Sequence, residues 1–133
     1  MIAYGFSQTL KMPFAAVKEA VIGELRKEGF GILTEIDVRE KFKEKLGLDF
    51  RPYVILGACH PLSAHEAIRA EENIGLLLPC NVVVFEKDDG TVLSIIKPTV
   101  AMQMVDNEKL RPLAKAVEEK LKKVFDTVTG KSV

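Results

Sequence analysis

The chain has 133 residues, 47% of them hydrophobic and 29% charged, which is enough for one complete core and too few for two independent domains. Nineteen basic and nineteen acidic side chains cancel, which argues against the positive excess that a nucleic-acid backbone selects. No segment approaches the roughly 18 apolar residues of a membrane span, and "MIAYGFSQTLKMPF" lacks a charged start running into an apolar stretch. The expectation is a single cytoplasmic domain, residues 1–133, with no nucleic acid and no membrane as partner.

Residues 2–8 alternate Ile2, Tyr4 and Phe6 with Ala3, Gly5 and Ser7, the period of a strand with one buried face. From Pro13 the period becomes helical, through Phe14, Val17, Val21 and Leu25, with Pro13 suited to the first helical position and Gly29 to the cap beyond the end. Residues 30–36, "FGILTEI", read as a second strand. Asp37 then caps a short charged helix over 38–46 that Gly47 terminates.

A third strand over 53–58 leads to "SAHE", where Ser63 and Glu66 stand at capping-box spacing ahead of a helix running to about Ala70. The run "NVVVFEKDDGTVLSII" reads as an antiparallel hairpin, its Asp-Asp-Gly turn offering a glycine for positive φ beside a bulge. Beyond Pro98 the chain is irregular until Asp106 or Asn107 opens the last helix, whose apolar stripe is Leu110, Leu113, Val117, Leu121, Val124 and Val128. This order gives an α+β, two-layer domain: an antiparallel sheet in β-α-β(4)-α order, with the long helices packed mainly on one face.

The two cysteines are 21 positions apart, a spacing that fits neither a C-x-x-C redox pair nor a zinc knuckle, and two are too few for a disulfide scaffold. Their placement says more. Cys59 closes the third strand and Cys80 opens the fourth, so if these strands are antiparallel neighbours both thiols lie at one sheet edge with His60 and Asn81. Cys59, His60, Cys80 and Asn81 are therefore the candidate ligand-binding residues, and no metal or cofactor is assigned to them.

Three classes of function stay open for this edge. A binding module would take a small molecule, a sulfur species or a soft metal there. An enzyme would use a thiol as nucleophile, with His60 as base and the nearby helix start lowering the thiol pKa. In a structural or dimerisation module the cysteines simply pack as small apolar residues. His60 before Pro61 is also readable as a turn residue, and His65 as a solvated side chain. Met102 and Met104 would suit cuprous copper together with the thiols, although methionine more often fills core gaps. Glu71 and Glu72 lie near the same edge, and "EKFKEK" and "EEKLKK" have the i, i+4 pairs of solvated helix faces. No phosphate loop, H-E-x-x-H, G-x-S-x-G or dinucleotide fingerprint occurs.

The stretch "YVILGACHPLSAHEAIRAEENIGLLLPCNVVVFE" resembles the family catalogued as domain of unknown function 302. That family carries a strand ending in L-G-A-C-[NH]-P, a short helix, and then I-G-L-L-L-P-C-N-V-V-V, here Leu56 to Pro61 and Ile74 to Val84. The likeness extends over nearly the whole chain, including the Pro98 and Met102 of a P-x-x-x-M motif. Lys97 departs from it, standing where relatives often have an acidic residue. The resemblance implies a fold similar to the TATA-binding-protein-like class. That is a statement about architecture and not about DNA. A homodimer, formed through an exposed sheet edge or face, is a further expectation.

Overall fold

The computed structural model describes residues 2–130. Five strands form one antiparallel sheet: β1 (Gly5–Leu10), β2 (Gly31–Asp37), β3 (Tyr53–Cys59), β4 (Cys80–Lys87) and β5 (Gly90–Ile96), in the spatial order β1-β5-β4-β3-β2. The helices are α1 (Phe14–Lys27), α2 (Val38–Leu46), α3 (Pro61–Ala70), the single turn α4 (Pro98–Ala101) and the long α5 (Leu110–Thr129). The expected mixed α+β class and antiparallel sheet are those observed.

Alternation along the strands sorts the two sheet faces. Val54, Leu56 and Ala58 of β3, Val82 and Val84 of β4, and Leu93 and Ile95 of β5 are buried, and they share one core with Val17, Val21 and Leu25 of α1 and Leu121, Val124 and Phe125 of α5. Each of these residues removes apolar surface from water, which at about 25 cal/mol per Å² makes this layer contact the dominant stabilising term. Residues of opposite parity face away from the helices. Among them are Ser7 and Ser94, register partners whose hydroxyl oxygens lie 2.7 Å apart.

A second, smaller core gathers Ala67 of α3, Ile74 of a 3₁₀ turn at Glu72–Leu77, Met102 of a second 3₁₀ turn at Met102–Met104, and Leu110 and Ala114 of α5. Helix α5 therefore serves both cores. Its first half packs in the small one and its second half in the large one.

Several local expectations need correction. The first strand starts at Gly5 and not at residue 2, because pairing with β5 begins at Gly5 opposite Ile96 and continues through Leu10 opposite Thr91. Helix α3 starts at Pro61, with His60 as its N-cap, so Ser63 lies inside the first turn instead of capping it. Proline at the first helical position costs no hydrogen bond, because that amide has no intrahelical partner. In the hairpin the left-handed residue is Asp88, with φ 55°, and not the glycine. Gly90 is required for a different reason: a Cβ there would come within 2.8 Å of Thr9 Cγ2 on the neighbouring strand. The last helix begins at Leu110 instead of residue 106 or 107, since Asn107 Oδ1 accepts from the Lys109 amide and closes a turn first.

Candidate functional site

Between the two cores lies a cavity of about 270 Å³. Ala58, Cys80 and Phe30 face it from the large core, and Ala67, Met102 and Ala114 from the small one. Leu113 and Val117 of α5 span the middle of its wall. Cys59, His60 and Ser63 complete one end, so three of the four expected site residues, Cys59, His60 and Cys80, line a common space.

The register explains how the two cysteines come to line one space. Strands β3 and β4 are antiparallel neighbours, which meets the condition on which the paired-cysteine reading rests, and Ala58 pairs with Cys80. The end of one strand thus lies against the beginning of the other. Asn81 does not join them. It pairs with Gly57, is exposed, and does not line the cavity. Successive strand residues point to opposite faces, so with Cys80 on the helix side Asn81 points away.

The termination of α1 prepares the His60 side. Gly29, at φ 89°, lets its own amide donate to the Arg26 carbonyl and the Phe30 amide to the Leu25 carbonyl, the paired bonds of a Schellman cap. This closure turns Phe30 into the core, where its ring meets the His60 imidazole edge-on, with centroids 5.4 Å apart. On its other side His60 Nδ1 lies 3.0 Å from Ser63 Oγ. A Cβ on Gly29 would come within 3.1 Å of His60 Nε2, so the ring is held closely by three neighbours.

Hydrogen bonds just outside the cavity hold its walls. Asn107 Nδ2 donates to the Ala70 carbonyl and to Glu71 Oε1, tying the end of α3 to the approach of α5. Arg111 donates to the Met102 and Val105 carbonyls, while the Thr99 amide and hydroxyl both donate to Glu118 Oε1. Together these fasten α4 and the turn after it onto α5. At the rim, β2 carries a bulge between Ile32 and Thr34, and the extra residue, Leu33, lines the cavity while remaining 65% exposed. Bulges re-aim side chains in this way.

Burial, followed by the neighbouring Cys59, pushes the Cys80 thiol from 9.0 up to about 11. At neutral pH it is a protonated, weakly polar group. Among the described residues, no hydrogen bond joins His60 to either thiol. Nor is any group of three or more His, Cys, Asp or Glu among them placed to hold a metal ion. Met102 reaches the cavity, whereas Met104 is 74% exposed and does not.

A family model described as "Domain of unknown function DUF302" matches residues 6–128. The chain belongs to the DUF302 family. A solved structure, that of an uncharacterized conserved DUF302 protein from Bacillus stearothermophilus, is similar at a TM-score of 0.86 and 31% identity, over 94% of this chain and 98% of that one. A comparison with curated proteins finds no match. Sequence reasoning about this DUF302 chain missed the α5 wall and Leu33. Leu113 and Val117 stood in the apolar stripe, but nothing in a stripe tells which of its residues meet a void. The remaining candidates lie apart from the thiols: His65 and Glu72 are exposed, and Glu71 is used by Asn107. No helix among the described residues is long and apolar enough to cross a membrane.

Proposed function

We propose that this DUF302 domain is a binding module for a small molecule, seated in the cavity between the two cores with one end against Cys59, His60 and Cys80. The observation that carries this reading is the cavity itself. A concave space of 270 Å³ that opens to solvent at the seam of two cores, walled mainly by apolar side chains with a few polar groups, has the form of a small-molecule site. Its position at the end of β3 and the start of β4 supports the same reading, because loop junctions on a rigid scaffold are where sites form.

Thiol catalysis has less support. A nucleophilic cysteine needs a depressed pKa or an adjacent base, and Cys80 has its pKa raised and no hydrogen bond to His60. A soft-metal site has less support too, since the one methionine that joins the two thiols at the cavity, Met102, belongs to the small core.

The domain is further taken to work as a homodimer in a reducing cytoplasm. Its two free thiols support the compartment, and the sheet face turned away from the long helices supports an interface. Sedimentation at micromolar concentration tests the dimer. Native mass spectrometry of protein purified without chelator tests the binding module. A retained non-covalent mass that Ala114→Leu abolishes is expected. Equal retention by the variant overturns the reading.

A further inference from the structure

We infer that the cavity selects a neutral, mainly apolar molecule about the size of a two-ring aromatic, with a single hydrogen-bonding group at its Cys59–His60–Ser63 end. This deepens the binding-module reading and rests on it. Size comes from volume. An apolar cavity of about 150 Å³ accepts benzene, so 270 Å³ accommodates a body a little less than twice as large.

Charge selection comes from the lining. Among the described residues, no Asp, Glu, Lys or Arg faces the cavity. An ionised ligand would therefore give up its hydration with no carboxylate, ammonium or guanidinium group in return and only the His60 imidazole within reach, whereas a neutral one exchanges water for Phe30, Leu113 and Val117. Orientation comes from the distribution of the polar groups. Cys59, His60 and Ser63 are consecutive or nearly so in the chain, and Cys80 lies opposite Ala58, so all four cluster at one end. The thiol of Cys80 stays protonated at neutral pH and adds no charge to that end.

The mouth agrees with the interior. Leu33 and Ile68 line the cavity yet are 65% and 45% exposed, which gives an apolar rim where a charged ligand would call for a charged one. The bulge in β2 places Leu33 there.

The test is an amide-resonance titration of the full chain at pH 7 with 2-naphthol, 2-naphthoate and cuprous ion in parallel. Saturable shifts with 2-naphthol, centred on Cys59 to Ala67 and on Ala114, are expected, with 2-naphthoate at least tenfold weaker. Ala114→Leu, which fills the space, should weaken 2-naphthol at least tenfold. Leu33→Ala, a change at an exposed position that does not threaten the fold, should weaken it several-fold.

Binding of 2-naphthoate or cuprous ion at the same residues, equal to or tighter than 2-naphthol, would leave the cavity as a site and overturn the ligand class. If no probe moves these resonances, the binding-module reading falls with it. Shifts at the same residues on raising protein concentration without any probe would show that a side chain of a second copy fills the cavity, and would also overturn the proposal.

Discussion

His60 Nδ1 and Ser63 Oγ lie 3.0 Å apart across the first turn of α3, with the Phe30 ring closing the other side of the imidazole. Ser63→Ala removes a partly buried hydrogen bond and should cost about 0.5–1.5 kcal/mol. The same change frees the ring, so the His60 side-chain nitrogen resonances should move by more than the stability loss alone requires. Unchanged nitrogen shifts would show that Phe30 packing alone sets the ring.

Gly29 holds a backbone conformation, φ 89°, that other residues resist, and its missing side chain leaves the space beside His60 Nε2. Gly29→Ala therefore combines left-handed strain with a close contact 3.1 Å from that nitrogen. We expect a loss of about 1–2 kcal/mol in urea denaturation. Made in a His60→Ala background, the same change should cost less, because only the backbone penalty then remains.

The buried thiol of Cys80 makes stability depend on pH on the alkaline side. With the folded value at about 11 against 9.0 for a free thiol, the folded chain keeps this proton between pH 9 and 11 while the unfolded chain releases it. Ionisation thus favours unfolding in that window. The contribution is complete below pH 9 and fades as pH rises through about 11, amounting to about 2–3 kcal/mol. Denaturation curves at pH 8 and pH 11 should show a larger drop for the wild type than for Cys80→Ala. Equal drops would exclude the thiol as the cause.

Gly57 occupies a crossing point of three elements. A Cβ there would overlap Thr34 Oγ1 of β2 and come within 2.7 Å of Pro79 Cγ, in the residue just before β4. Gly57→Ala should cost about 1–3 kcal/mol, as overpacking does. Thr34→Ala in the same chain should restore part of it by removing one of the two obstacles. Additive losses in the double variant would show that the Pro79 contact alone carries the cost.

The wall on the far side of the cavity depends on Glu118, which accepts both the amide and the hydroxyl of Thr99 on one oxygen. Glu118→Ala should destabilise by about 1.5–3 kcal/mol and loosen Met102. Glu118→Gln retains an acceptor oxygen and should lose less than half as much. Thermal melts of the three proteins, compared with amide exchange in α4, separate the two outcomes.

Much of this architecture was legible from residue order. Asp37 and Gly47 bracket α2 as expected, with the Glu40 amide donating to Asp37 Oδ1 and Gly47 left-handed. Such caps are local chemistry, so a local sequence reports them. That Cys59 and Cys80 line one space was legible too, since a strand end and the next strand start adjoin whenever the strands are antiparallel neighbours. The outward turn of Asn81 follows from the strand alternation that puts Cys80 on the helix side.

The cavity was not legible. It arises where α5 passes from one core to the other, and that depends on where Thr99, Asn107 and Arg111 anchor the connecting turns. Those anchors join residues as far as 37 positions apart, and no periodicity encodes them. Leu33 was hidden for a related reason: a bulge is a property of two strands paired together, and neither strand carries its signature alone.

Strands β2 to β5 follow one another around the sheet as a simple meander, whereas β1 pairs only with β5, and Ser7 meets Ser94 across 87 positions. Among the described residues β5 is thus the partner strand of β1, and it lies at the far end of the sheet-forming sequence. Their pairing joins the two ends of the sheet-forming chain, whereas each pair in the meander joins strands consecutive in sequence. Loop-closure entropy penalises that distant pairing most. In pulsed hydrogen exchange during refolding, the amides of Phe6 to Thr9 should gain protection last. On that outcome the strand first in the sequence would be the last to join the sheet.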